Sequence, residues 1–146
     1  LAAHWPIAPL EDNAFAICRT GEGRVGLLHT SWTQWRNLFS YELFAQRGYL
    51  SVEGLGGSYG PQRLVIGRRT PESPVPTEEV KEYPEPESSW GREWEAFLDA
   101  VETGRPPLGD GRDGLEAVRL VHALYRSARR GRAERVPPLA EPAEVR

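Results

Sequence analysis

The 146-residue sequence has no methionine, one cysteine, one lysine and three histidines. Cys18 alone cannot build an intrachain disulfide framework, and a lone thiol fits a reducing compartment, so a cytoplasmic location is expected. His4, His29 and His122 lie far apart and no second cysteine joins them, so the spacing of a metal site is missing and no metal is expected. The longest apolar runs are a few residues, against the roughly 20 that a membrane-spanning helix needs, so no membrane partner is expected. Basic charge is not in excess either. The formal net charge is −3, which leaves no electrostatic footprint for nucleic acid. Lys81 stands beside seventeen arginines, a bias that reads as the mark of a GC-rich genome rather than of a function.

The length suits one domain with a core of its own. Residues 24–60 are the most unusual part. Three strand-like runs follow each other there, and their polar positions carry Ser, Thr, Trp, Gln and Asn instead of the Lys and Glu of a solvated face. Pro6 and Pro9 keep residues 1–12 extended, with His4 and Trp5 ending an edge strand. Residues 13–20 read as a strand covered on both faces, with Ala14, Ala16 and Cys18 opposite Phe15 and Ile17. A turn at Gly21-Glu22-Gly23 leads into a strand over residues 24–35. Its alternation sets His29, Ser31, Thr33 and Trp35 on one face and Thr30, Trp32 and Gln34 on the other. Arg36-Asn37 breaks the pattern. Strands follow over residues 38–45, 49–53 and 62–69, with an edge strand over 77–83, and the four glycines of residues 54–60 make a loop.

Residues 72–87, rich in Pro and Glu, form a surface connection to two helices. Trp90, Trp94, Phe97, Leu98 and Val101 share one face of the first, which Ser88 or Ser89 caps and Gly104 with Pro106-Pro107 ends. Asp113 and Glu116 predict a capping box for the second. Its inward residues are Leu115, Val118, Val121, Leu124, Tyr125 and Ala128, Gly131 closes it, and residues 137–146 are a tail. Strands followed by helices mean an α+β fold: an open, largely antiparallel sheet with two amphipathic helices packed on one face.

No chemical motif is complete. The glycines of 54–60 join strand to strand, whereas a dinucleotide fingerprint opens a helix. Gly109-Asp110-Gly111 precedes a helix but puts a carboxylate where phosphate would sit. No Gly-x-Ser-x-Gly elbow supports a Ser-His-Asp triad. The arginines of residues 126–135 fit cations at a helix C-terminus. The Trp32–Gln34–Asn37 cluster leaves three readings open: a subunit interface, contact with a polar ligand such as a sugar, or plain structure.

Residues 12–17 (Asp-Asn-Ala-Phe-Ala-Ile), 23–32 (Gly-Arg-Val-Gly-Leu-Leu-His-Thr-Ser-Trp) and 48–54 (Gly-Tyr-Leu-Ser-Val-Glu-Gly) resemble strands of the C-terminal domain of Gfo/Idh/MocA-type oxidoreductases. Residues 94–101, 104–107, 110–118 and 123–131 resemble its closing helices, so the likeness spans roughly residues 11–136. The resemblance implies a partner N-terminal Rossmann domain that binds NAD or NADP. It also implies hydride transfer on a sugar, polyol or related hydroxy compound, and a sheet face serving substrate pocket and homo-oligomer. It further implies that this chain, starting after the family's catalytic histidine segment, holds no cofactor or catalytic residue of its own. Trp32, Gln34, Trp35 and Asn37, with Tyr59 from the glycine loop, are the expected substrate contacts. The alternative is a stand-alone ligand-binding or dimerisation module without catalysis.

Overall fold

A computed structural model describes residues 1–5, 10–84, 86 and 88–139. Pro6, Pro9, the acidic Glu85 and Glu87 and the end of the tail lie outside the described residues. All six expected strands are present and every pairing is antiparallel, divided between a two-stranded and a four-stranded sheet. With two helices after the strands, the class is α+β. The chain divides into two compact units, Leu1–Thr33 with Ala96–Arg146, and Gln34–Glu95.

In the first unit, β1 (Asn13–Arg19) and β2 (Val25–Ser31) pair from Asn13 opposite Ser31 to Arg19 opposite Val25. Ala14, Ala16 and Cys18 are half-buried, while Phe15 and Ile17 are exposed, so the expected cover on both faces is corrected to one. The Phe15 and His29 rings, directly opposite, stack with centroids 4.3 Å apart. The second strand stops at Ser31 and not at 35. Thr33 N–H turns back to Ser31 Oγ (3.1 Å), and Trp35 takes a left-handed φ of 57°, which no strand accommodates. Trp32, Gln34 and Trp35 therefore sit on a connecting segment and do not alternate across a sheet. The N-terminal edge contact falls at Ala2, bridged to Asn13, and not at His4–Trp5.

In the second unit, β3 (Ser40–Ala45), β4 (Gly48–Glu53), β5 (Arg63–Thr70) and β6 (Ser73–Glu82) lie in that order. The last starts four residues before the expected 77. As an edge strand it can carry Pro76, which lacks a ladder donor. Register sorts the faces. Tyr41, Val52 and Leu64 stand in one row and Leu43, Leu50 and Ile66 in the next, making one face apolar. The opposite face carries Glu53–Arg63, Ser51 with Val65, and Phe44–Tyr49–Gly67. Gly67 is needed there: a Cβ would stand 2.1 Å from the Tyr49 ring. The ring lies across that gap and its hydroxyl donates to Glu78. That bond first, then burial and the Glu78 charge, pushes the phenol pKa up.

Helix α1 (Ser89–Thr103) keeps the expected stripe, and all five of its apolar side chains are exposed. Its end is sealed by Gly104 N–H donating to Ala100 O (2.9 Å). Helix α2 (Gly111–Arg130) starts earlier than expected. Its N-cap is Asp110, not Asp113: the Asp110 carboxylate accepts from Arg112 N (2.8 Å) and Asp113 N (3.0 Å), and the Asp113 carboxylate accepts from Asp110 N (3.2 Å). Gly131 closes it in the left-handed conformation, as expected. Its covered side is Ala123 with Leu120, Leu124 and Tyr125, whereas Leu115, Val118, Val121 and Ala128 are exposed.

Gly67→Ala is expected to destabilise the chain by about 1–3 kcal/mol, the usual cost of overpacking. It should also pull Tyr49 off Glu78. Urea unfolding checks this: the midpoint falls with an unchanged slope, and the loss shrinks in a Tyr49→Ala background.

Candidate functional site

Trp32 is presented by a polar knot. The Asp12 carboxylate accepts His4 N–H (2.8 Å) and Trp5 N–H (2.7 Å) on one oxygen and the Asn13 amide (2.7 Å) on the other. Asn13, a buried polar residue, also donates to Thr33 Oγ1 (2.9 Å), which lies 3.3 Å from Ser31 Oγ. Asp12 O accepts Trp32 N–H (2.8 Å). The backbone on both sides of Trp32 is thus fixed, while its indole is 81% exposed. Burial acts to raise the Asp12 pKa. The bonds from Trp5 N–H, the Asn13 amide and His4 N–H, with the His4 charge, outweigh it and hold the carboxyl below the ordinary carboxylate range.

The other expected contacts, Gln34, Trp35, Asn37 and Tyr59, belong to the second unit. Asn37 Nδ2 donates to Ser58 Oγ (2.8 Å), which brings it beside Tyr59 in the one-turn 3-10 helix Gly57–Tyr59. Gln34 and Trp35 are exposed on the connecting segment. Trp32 belongs to the first unit, whose N-terminal segment ends at Thr33.

A cavity of about 580 Å³ lies within the second unit, and none of the five expected residues lines it. Its size falls in the range of small-molecule sites. Phe39, Val52, Leu55, Leu64 and Tyr83 give it apolar walls; Glu53, Gln62, Arg63, Ser88, Ser89 and Arg92 give it polar groups. The glycine loop shapes one wall. Gly54 has φ 76°, and a Cβ there would stand 2.3 Å from Pro61 O, so the chain folds back on itself only without a side chain. Glu53 and Arg63 are joined by Nη2–Oε2 and Nε–Oε2 contacts of 2.6 and 2.8 Å. A carboxylate and a guanidinium locked side by side, near aromatic surface, can accept from and donate to adjacent hydroxyls of one ligand. Sequence reasoning missed this pair. Its signal was available in part: Glu53 ends one predicted strand and Arg63 is the second residue of the next, so antiparallel pairing sets them close, and the observed register sets them opposite each other.

The arginine-rich end is engaged internally. Glu134 accepts from Arg130 (3.0 Å) and Arg132 (3.4 Å), with Arg126 at 3.9 Å. Chiefly the Arg130 bond, against burial, lowers the Glu134 pKa. No group of three metal-ligating side chains occurs among the described residues, and no described helix is long and apolar enough to cross a membrane.

A model of an oxidoreductase family's C-terminal alpha/beta domain, that of Gfo/Idh/MocA proteins, matches residues 2–137. The chain belongs to this family. A D-xylose 1-dehydrogenase (NADP(+)) of Haloferax volcanii is 43% identical over 54 residues, covering 37% of this chain and 17% of the relative. The chain thus spans under a fifth of that relative's length. No solved structure matches the chain. The described residues do not fit a dinucleotide. The glycine loop runs from β4 to β5 through a single 3-10 turn, and the start of α2 is filled by the Asp110 carboxylate, which would repel a pyrophosphate.

Because the folded-state pKa of Asp12 is depressed, its stabilising effect is present above the unfolded value of about 3.9 and is lost as pH falls through the folded value. Asp12→Asn is therefore expected to lower stability at pH 6–7, and the difference from the unsubstituted chain should shrink as pH falls through the folded value. Urea unfolding across that range checks it.

Proposed function

We propose that the chain is the substrate-binding and oligomerisation domain of a cytoplasmic NAD(P)-dependent oxidoreductase acting on a sugar, polyol or related hydroxy compound. The family membership over residues 2–137 carries this reading. The NADP-linked name of the D-xylose dehydrogenase supports both the cofactor class and a polyhydroxy substrate. NAD or NADP would be held by an N-terminal Rossmann domain, and this chain alone would be catalytically silent.

On this reading Trp32, Gln34, Trp35, Asn37 and Tyr59 face the substrate. The exposed indoles of Trp32 and Trp35 suit stacking on the C–H face of a sugar ring, and the amides of Gln34 and Asn37 suit its hydroxyls. Homo-oligomerisation would use the apolar face of the four-stranded sheet, where Tyr41, Leu43, Leu50 and Val52 are all exposed.

In the full-length enzyme, Trp32→Ala and Asn37→Ala are each expected to reduce kcat/KM for the sugar substrate about tenfold, the equivalent of one lost stacking or hydrogen-bond contact. Unchanged KM and kcat in both would remove these residues from the pocket. Analytical ultracentrifugation is expected to give a dimer or larger species. A strict monomer at micromolar concentration would rule out the sheet-face interface.

A further inference from the structure

We propose that one end of the four-stranded sheet, where the β3–β4 and β5–β6 turns meet, is a binding site for a phosphate group. A cleft of about 500 Å³ opens there between Gln46 and Arg47 of the first turn and Arg69, Thr70, Pro71 and Ser73 of the second. The turns are tied by Arg69 N–H donating to Arg47 O (2.9 Å). The register of β5 against β6 shifts between Arg68 and Thr70, and such an irregularity re-aims a side chain away from the regular faces.

Charge is what sets this cleft apart. The other cations of the sheet are neutralised: Arg63 by Glu53 (2.6 Å), and Arg68 and Lys81 by Glu79 (2.8 and 3.4 Å). Arg47 and Arg69 have no ion-pair partner among the described residues, although they share one cleft in a chain of net charge −3. Glu72, at the tip of the second turn, does not line the cleft and pairs with neither. Two unpaired guanidiniums repel each other, and an anion between them reverses that repulsion. The Ser73 hydroxyl is engaged with Val75 N–H and O. The Gln46 amide and Thr70 hydroxyl supply further donors. Two guanidinium forks with these donors match the several acceptor oxygens of a tetrahedral dianion better than the two of a carboxylate. The phosphate could be free in solution or carried on a sugar.

The test is a calorimetric titration at low ionic strength with inorganic phosphate, with a hexose phosphate and with the unphosphorylated hexose. Saturable phosphate binding is expected. The Arg47→Gln/Arg69→Gln variant, its fold checked by circular dichroism, should lose at least about tenfold in affinity. Arg105→Gln, which removes a cation paired elsewhere, should bind as the unsubstituted chain does. A tighter hexose phosphate with a silent hexose assigns the phosphate to a sugar carrier, and equal affinity for both phosphates assigns it to the free ion. No saturable binding up to about 20 mM phosphate, far weaker than a useful site, overturns the proposal. So does equal binding in the double variant, or an equal loss in Arg105→Gln. None of these outcomes bears on the dehydrogenase reading, which is judged on kcat/KM of the full-length enzyme.

Discussion

Strand β4 lies hydrogen-bonded between β3 and β5, and its register decides what the rest of its unit can do. A slip of one residue would exchange the two faces. Leu50 and Val52 would leave the apolar rows, Glu53 would lose its place opposite Arg63, and the Tyr49 ring would no longer lie over Gly67. The Tyr49–Gly67 approach guards against that slip, because every other β5 residue in the register with β4 carries a side chain where the ring now lies. The same pairing therefore sets both the apolar face and the polar group at the cavity.

Connections carry the remaining precision. The glycine loop returns the chain at Gly54 and Pro61, holding Leu55 and Gly56 on the cavity wall while Ser58 reaches Asn37. In the other unit the Asp12–Asn13 knot spends backbone and side-chain donors on one carboxylate, and leaves the Trp32 indole outside it. Polar groups with limited solvent access need partners, and here those partners come from residues 2–5 and 31–33 together. An exposed loop residue is thus fixed by bonds that do not involve its side chain.

Periodicity made the strands, the helices and the α+β class legible, because apolar spacing of two or about 3.6 is a local property of the chain. It overran at Trp35, where alternation continues through residues that leave the strand. Nothing in Ser-Trp-Thr-Gln-Trp marks a left-handed residue in the way a glycine would. The cap of α2 was misplaced by three residues because Asp110 and Asp113 both suit a cap, and only the backbone decides which one is extended. The expected contacts at Trp32, Gln34 and Trp35 were placed by that same alternation, and the end of β2 at Ser31 sets them on a connecting segment instead. The Glu53–Arg63 pair was missed for the converse reason. Its members are ten residues apart, and they meet only through the register of two strands.

Burial arithmetic narrows what could cover the apolar face. Tyr41, Leu43, Leu50 and Val52 are between 36% and 57% exposed. Covering the rest of each contributes roughly half of the 1.5–3 kcal/mol for a whole side chain, so about 3–6 kcal/mol from one copy. Association itself costs an estimated 4–15 kcal/mol. A partner offering nothing apolar in return would leave association unfavourable over most of that range. A second copy related by a two-fold axis presents the same four residues and doubles the gain to about 6–12 kcal/mol without any further feature in the sequence. On the proposed reading of this face as a subunit interface, a symmetric pairing would bring the gain level with the cost, and its strength would depend on how fully the rows of one copy interdigitate with those of the other.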